Sequence, residues 1–484
     1  MSISRRTFLA GAGLVSLRRA QRTDPLAEFR RAFKGSITVP GDADYDRARG
    51  IASVNPATDK RPRLIARCSN ADDVARAIEF GRTQALEIAV RAGGHDVLGA
   101  SVCDDGIVID VSRMEAIVID AGRRTARVES GVRSNELNAA TSPHGLAAVL
   151  GCNPAVGVAG LTLGGGLGWF LGRFGAACDN LLAAEVIDGS GTHRHASADE
   201  NADLFWALRG GGGNFGVVTA FEYRLHPVDR VLGGLIAFRT DIAPFLRFYR
   251  DFMKAAADDL AVEMSIVMLD RPVVLCTVCW SGDPTEGERA LRPLRTFGPP
   301  VADAIGSVPY MHLTDRPGPE FGALVFGPPP TTAPPAGQTF DYWRGGSLDN
   351  LNDGVIELVR SAIQGASRGM SMGLGHYMHG QICQVSTDAT PLPRPAGQFT
   401  YFFDANWRDP ARADMAMRWV NDASSAMRPW SSASTYVNYL SSDRDEAVRA
   451  AYNANYERLV ALKRRYDPLN AFHLNRNIRP QRTA

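Results

Sequence analysis

No apolar stretch in this chain reaches the roughly 18 to 20 residues that a membrane-spanning helix requires, so no membrane anchor is expected. Charge of one sign is also lacking in excess. Lys+Arg number 53 against Asp+Glu 52, a formal net charge of +1, which is not the electrostatic footprint of a nucleic-acid binder. The expected partner is a small molecule. Cysteine is scarce and odd in number, seven scattered over 484 residues, which excludes a disulfide framework. Its one close pair, Cys276 and Cys279, lies in the strand-like run from Val273 to Trp280, where neighbouring side chains point to opposite faces. With no second Cys or His pair beside it, buried thiols are expected there rather than zinc or redox chemistry, and no metal site is expected. There is no internal repeat.

What is present, 45% hydrophobic and 22% charged residues, is ordinary for a soluble globular protein. A chain of this length exceeds the size at which a single core keeps growing, so two packed lobes are expected. Ser4-Arg5-Arg6-Thr7-Phe8-Leu9, followed by a mildly apolar stretch to Leu17, resembles a twin-arginine export signal. Arg18-Arg19 and the lack of a clear cleavage site suit a cytoplasmic basic tail instead. Residues 1 to about 24 are therefore left out of the fold, with export to the periplasm or exterior as the expectation and a cytoplasmic location as the alternative.

Hydrophobic patterning then gives a strand at Arg63 to Arg67, a helix capped by Ser69-Asn70-Ala71-Asp72 and running to about Arg82, and a second strand at Glu87 to Arg91. That strand leaves into the loop Ala92-Gly93-Gly94-His95-Asp96. Alternating strands follow at residues 106–111, 117–119 and 126–128, and another at Val217 to Leu225. Beyond residue 230 come separate apolar strands at Met264 to Leu269, Val273 to Trp280 and Phe399 to Phe403. The proline cluster Gly327 to Pro330, with Pro334-Pro335, reads as a surface loop. A last helix is expected from Asp445 to Tyr466, with Val448, Tyr452, Tyr456, Leu459 and Leu462 at helical spacing.

Two glycine-rich segments stand out, Arg91-Ala92-Gly93-Gly94-His95 and Gly157-Val158-Ala159-Gly160-Leu161-Thr162-Leu163-Gly164-Gly165-Gly166. Glycine lets main-chain N–H groups approach an anion closely, so such loops commonly cradle phosphates. Neither is a Rossmann fingerprint, and on composition alone glycines used for turns or close packing explain them equally well.

Together with Cys178-Asp179-Asn180-Leu181, the run Asp203 to Gly216, Tyr436-Val437-Asn438-Tyr439 and Asn470 to Ile478, these segments resemble the berberine-bridge-enzyme-like branch of the vanillyl-alcohol oxidase / p-cresol methylhydroxylase flavoproteins. The resemblance implies an α+β fold. Its FAD-binding lobe would have two subdomains, residues 25–228, and a substrate domain with an antiparallel sheet covered by helices, residues 229–435, would follow. A carboxyl-terminal segment, residues 436–484, would return to the first lobe. It implies FAD with its diphosphate on Arg91, Ala92, Gly93, Gly94, His95 and Asp96, and a covalent bond from the His95 ring to the flavin 8α-methyl group. Without the flanking motif, His95 would read as an ordinary loop histidine. The further cofactor-binding residues implied are Cys152, Val156, Gly157, Val158, Gly160, Leu161, Thr162, Gly164, Gly165, Gly166, Asn180, Val217, Asn475 and Asn477.

Relatives with a second flavin bond carry it on a cysteine in Cys-Pro-Thr-Val-Gly. Here the segment is Gly151-Cys152-Asn153-Pro154-Ala155-Val156-Gly157, so Asn153 occupies that position and Cys152 falls one residue early. One residue of offset in an extended segment turns the side chain away, and a single link through His95 is expected. The resemblance places a catalytic tyrosine at Tyr439, with Tyr436 as the weaker candidate. As the base for an alcohol proton, Tyr439 would need a neighbouring cation or the flavin to lower its free pKa of about 10. His376 and His379 either face substrate or sit satisfied in a loop, and Gly380 keeps a turn. Val156 matches a position whose valine goes with use of dioxygen. Three readings follow: an oxidase of an alcohol, sugar or secondary-metabolite ring that releases hydrogen peroxide, a dehydrogenase with another acceptor, or a flavin-binding protein without catalysis.

Overall fold

Asn70 opens the first long helix as its sequence predicts: its side chain accepts the N–H of Asp73 at 3.0 Å and the helix runs Ala71–Thr83. The computed structural model describes residues 24–315 and 339–480. The twin-arginine segment and the proline clusters lie outside them. Strand β1 (Ser36–Thr38), β2 (Leu64–Arg67), β3 (Ile88–Arg91) and β4 (Ile107–Asp110) form a sheet in the order β1-β2-β4-β3, with β2 and β3 both parallel to β4. The parallel pairs arise because the Ala71–Thr83 helix carries the chain back across the sheet between β2 and β3. β3 is therefore aimed so that its exit delivers the Ala92 to Asp96 loop.

A second sheet holds β5 (Ile117–Asp120), β6 (Thr125–Glu129), β7 (Ala147–Ala148), β8 (Leu181–Ile187), β9 (His193–Ser197) and β10 (Val217–His226), in the order β5-β6-β10-β8-β9, with β7 paired to β10. All its pairs are antiparallel. A third antiparallel sheet contains β11 (Arg230–Phe238), β12 (Leu260–Met268), β13 (Pro272–Trp280), β14 (Ala302–Asp303), β15 (Gly306–Pro309), β16 (Phe340–Leu348), β17 (Met370–Tyr377) and β18 (Phe399–Trp407). Its order is β14-β11-β13-β12-β17-β18-β16, with β15 on β11. Helices Ile242–Lys254, Asp353–Gln364 and Ala413–Met427 bury their apolar stripes on one face of this sheet, against residues such as Met264, Cys276, Met372 and Phe403. The opposite face of β12, β16, β17 and β18 is left to look toward the lobe built from the first two sheets. Cys276 lies in the helix-covered core and Cys279 in a separate cluster with Trp169 and Tyr310, both buried, as the alternation of a strand requires.

The carboxyl-terminal segment differs from its expectation in one respect. Val448, Tyr452, Tyr456, Leu459 and Leu462 do share one core with the second sheet. The single helix, however, is two, Asp445–Tyr452 and Tyr456–Tyr466, separated by a short turn in which Asn453 adopts φ +45°. Asparagine tolerates the left-handed region better than most residues, and periodicity is blind to such a break. The second helix carries Lys463, fully buried, whose Nζ donates to the Asn214 carbonyl at 2.9 Å, the Phe472 carbonyl at 2.9 Å and Asp467 Oδ2 at 2.7 Å. Asp467 in turn accepts the N–H groups of Ala471 and Phe472. One buried ion pair thus ties the last helix to two loops of the first lobe.

Candidate active site

Between the lobes lies a cavity of about 550 Å3 whose walls come from all three sheets and from the carboxyl-terminal segment. At the first-lobe end the loop after β3 crosses the loop before helix Val158–Leu163. A Cβ on Gly93 would sit 2.5 Å from the Gly157 nitrogen, so neither glycine admits a side chain where the two backbones meet. Among the described residues, no protein group accepts from the main-chain N–H groups of Gly93, Gly94, His95, Asp96 or Val97. A run of uncommitted amides on a cavity wall is an anion cradle. Gly160 and Gly213 face open space, and the Tyr452 hydroxyl and Asn475 Oδ1, also at this wall, have no partner. Free amides, open glycine faces and orphaned polar atoms fit a long cofactor that carries both phosphates and a hydrogen-bonding ring, as FAD does.

His95 faces this cavity. Burial and the nearby Arg133 charge hold its pKa below the usual histidine value, against a small opposing effect of the Ala155 backbone, so the imidazole is neutral. Burial pushes Asp96 up, but the Arg476 guanidinium ion-paired to it and the N–H groups of Ala100 and Leu98 outweigh that and leave it ionised. Arg476 also donates to the Leu440 carbonyl at 3.0 and 2.9 Å, which binds the carboxyl-terminal segment to the cofactor loop.

Of the residues expected at the cofactor, Ala92, Gly93, Gly94, His95, Asp96, Cys152, Val156, Gly157, Gly160, Leu161, Val217 and Asn475 line the cavity. Others support it from behind. Arg91 turns away to pair with Asp110 at 2.7 Å and to donate to the carbonyls of Ala48 and Gly50. Thr162 hydrogen-bonds the Tyr223 hydroxyl at 2.8 Å, and Val158 is packed in the core. Gly164 makes room for Asn438, which a Cβ there would strike at 2.1 Å. Gly165 and Gly166 hold positive φ, and Cys178 and Ala177 donate to their carbonyls. Asn180 is a loop clamp, donating to the Phe174 and Ala176 carbonyls and accepting from His226. Asn477 is likewise off the cavity wall.

The substrate-side end is formed by Cys152, Glu263, Trp343, His376, Phe402 and Tyr439. Tyr439 stands edge-on to Trp343, ring centres 5.0 Å apart at 82°, and Trp343 stacks on Phe402 at 5.8 Å. Gly375 of β17 gives Tyr439 its space, since a Cβ there would lie 3.1 Å from the hydroxyl. The expected cation beside Tyr439 is absent among the described residues. Burial pushes its hydroxyl well up, and the Glu263 charge pushes the same way. Tyr436 is committed elsewhere: its hydroxyl accepts the N–H of Gly166 at 3.2 Å and an N–H of Asn438 at 2.9 Å, and burial pushes it up to about 12. It braces the Tyr439 turn from the cavity wall.

Cys152 does not turn away from the cavity. Residues 151–155 form a turn rather than a strand, so alternation does not apply, and Cys152 Sγ lies at the cavity, 3.6 Å from His376 Nε2 and beside the Glu263 carboxyl. Burial, then Glu263, pushes the thiol well up, so it keeps its proton. His376, driven down to about 4 by burial, is neutral, with Nε2 3.9 Å from Glu263. Glu263 itself is raised by burial to about 7, with the Cys152 thiol drawing it back slightly. These three bring their donor atoms within 4.8 Å of one another. His379 takes the other option open to it, sitting against the Tyr377 and Ala257 carbonyls. Gly380 does hold a turn, at φ +65°. Arg394 is buried against Asp179 at 2.6 Å and does not reach the cavity.

Sequence reasoning missed Glu263, Trp343, Phe402 and Arg476. The signal for Glu263 was a single carboxylate in the middle of an apolar strand whose alternate residues, Val262, Met264 and Ile266, are core.

Two family models match the chain: an FAD binding domain over residues 62–197, and berberine and berberine like over residues 435–479. The chain is 36% identical over 285 residues to (R)-6-hydroxynicotine oxidase of Paenarthrobacter nicotinovorans, a match covering 58% of this chain and 62% of that protein. It is 28% identical over 467 residues to an FAD-linked oxidoreductase of Dictyostelium discoideum, covering 95% and 97% of the two chains. The crystal structure of 6-hydroxy-D-nicotine oxidase from Arthrobacter nicotinovorans superposes with a TM-score of 0.82 at 28% identity, over 93% of this chain and 98% of that one. The fold and the cavity are those of an FAD-dependent oxidoreductase. The chain belongs to the berberine-bridge-enzyme-like flavoproteins of the vanillyl-alcohol oxidase / p-cresol methylhydroxylase family.

Proposed function

We propose that this enzyme takes a hydride from a small organic substrate held against Tyr439 and passes the electrons to dioxygen, releasing hydrogen peroxide. FAD, when bound, supplies the hydride acceptor. The observation that carries the reading is one continuous cavity with uncommitted amides at one end and Tyr439, Glu263 and His376 at the other. His95, a neutral imidazole with a free electron pair, suits the covalent attachment that the resemblance implies; Cys152, whose thiol keeps its proton, is poorly suited to a second bond. The Tyr439 hydroxyl meets substrate in its protonated form, and Glu263 is the proton acceptor facing it. Val156, on the cavity wall, leaves room for a small oxidant.

Acid precipitation of the purified protein tests the attachment. The yellow colour is expected to stay with the pellet in wild type and in Cys152→Ala, and to leave it in His95→Ala; colour retained in both single variants and lost only from the double variant would overturn the single link. Peroxide formed in step with substrate oxidation in air tests the acceptor. Fast flavin reduction with sluggish reoxidation in air would identify a dehydrogenase instead.

A further inference from the structure

Among the described residues, Glu263 has no positively charged partner. The groups that act on its carboxyl are burial and the Cys152 thiol, and its other close neighbour, His376, is neutral. Among the described residues of the cavity wall, the other full charges, Asp96 and Arg476, are paired with each other. A carboxyl in so enclosed a site, with no counter-ion beside it, is stabilised in its charged form by a cationic occupant. Around it stand the rings of Trp343, Phe402 and Tyr439, whose faces attract cations. β12, β16, β17 and β18 place these groups on the sheet face turned away from the covering helices, so they converge on one chamber.

From this geometry we infer that the substrate is an organic amine bound as its ammonium ion, with its nitrogen on the Glu263 carboxylate and its carbon frame among Trp343, Phe402 and Tyr439. The inference rests on the reading of the cavity as a flavin and substrate site, and narrows it: sugars and neutral alcohols lack the charge this end of the cavity calls for, and carboxylate substrates would meet a like charge.

The test uses the holoenzyme above neutral pH with three probes of one shape, benzylammonium, benzyl alcohol and benzoate. Binding is read both from the perturbed flavin absorbance and from the shift in melting temperature. Benzylammonium is expected to bind at least about tenfold more tightly than benzyl alcohol, the size of one charge-assisted hydrogen bond, and benzoate more weakly than either. Glu263→Gln is expected to remove the preference and Glu263→Asp to keep part of it. Equal binding of the amine and the alcohol to yellow wild-type protein, or an unchanged preference in Glu263→Gln, would overturn the inference. A protein that takes up no flavin but still shows the ammonium preference by melting would sustain it and overturn the flavin reading alone.

Discussion

Replacing Glu263 with glutamine should make the holoenzyme more stable in alkali and leave it unchanged in acid. The carboxyl rises from 4.5 when free to about 7 in the folded protein, because burial disfavours its charged form. Between those two values the native state holds a proton that the unfolded chain has already released. Stability therefore falls as pH rises through this window and levels off above about 7. At 1.36 kcal/mol for each pKa unit, the full difference is about 3 kcal/mol. The side chain is 30% accessible, to the cavity, and water there lowers the expected gain to about 1–3 kcal/mol. The groups facing Glu263 do not blur the window. Cys152 and Tyr439 are pushed up, as is Tyr249 on the helix Ile242–Lys254, and His376 charges only near 4. Chemical denaturation of wild type and Glu263→Gln between about pH 5 and about pH 8 measures the difference directly. A gap that is the same at both ends of this range, or a wild type that gains stability toward alkali relative to the variant, would refute the reasoning.

Two other substitutions bear on the site. Lys463→Met leaves Asp467 buried without its counter-ion and frees two carbonyls, and should cost about 3–5 kcal/mol in chemical denaturation together with much of the bound flavin, since Asn214 and Phe472 stand at the cavity wall; a loss below about 1 kcal/mol would count against it. Tyr439→Phe should fold and hold FAD normally but slow reduction of the flavin by substrate about 10²- to 10⁴-fold in rapid mixing, and an unchanged rate would remove Tyr439 from the mechanism.

The helix Ala71–Thr83 and the short strands around it were legible because caps and alternation are local signals. The motif residues led to the right cavity for the same reason: Gly93, Gly157 and Gly160 are required where two loops cross or where the wall must stay bare. Within those motifs, however, residues that line the cavity are not separable by sequence from those that brace it, as Thr162, Asn180 and Arg91 demonstrate. Glu263 was hidden because a carboxylate alternating with apolar residues reads as the solvent side of a strand, and only the packing of the two lobes turns that side inward. Cys152 was misjudged by applying strand alternation to a turn. That no cation stands near Tyr439 among the described residues is a fact about distant chain segments, which no local pattern encodes.

The bracing of the cavity by residues 436 to 478 also orders events during synthesis. Tyr439, Asn475 and Arg476 are parts of its wall, and Lys463 fastens the loop carrying Asn214. While the chain is still emerging from the ribosome, the amide cradle near His95 exists without the side that closes over it. Capture of the cofactor in the closed cavity must therefore wait until nearly the whole polypeptide has been made.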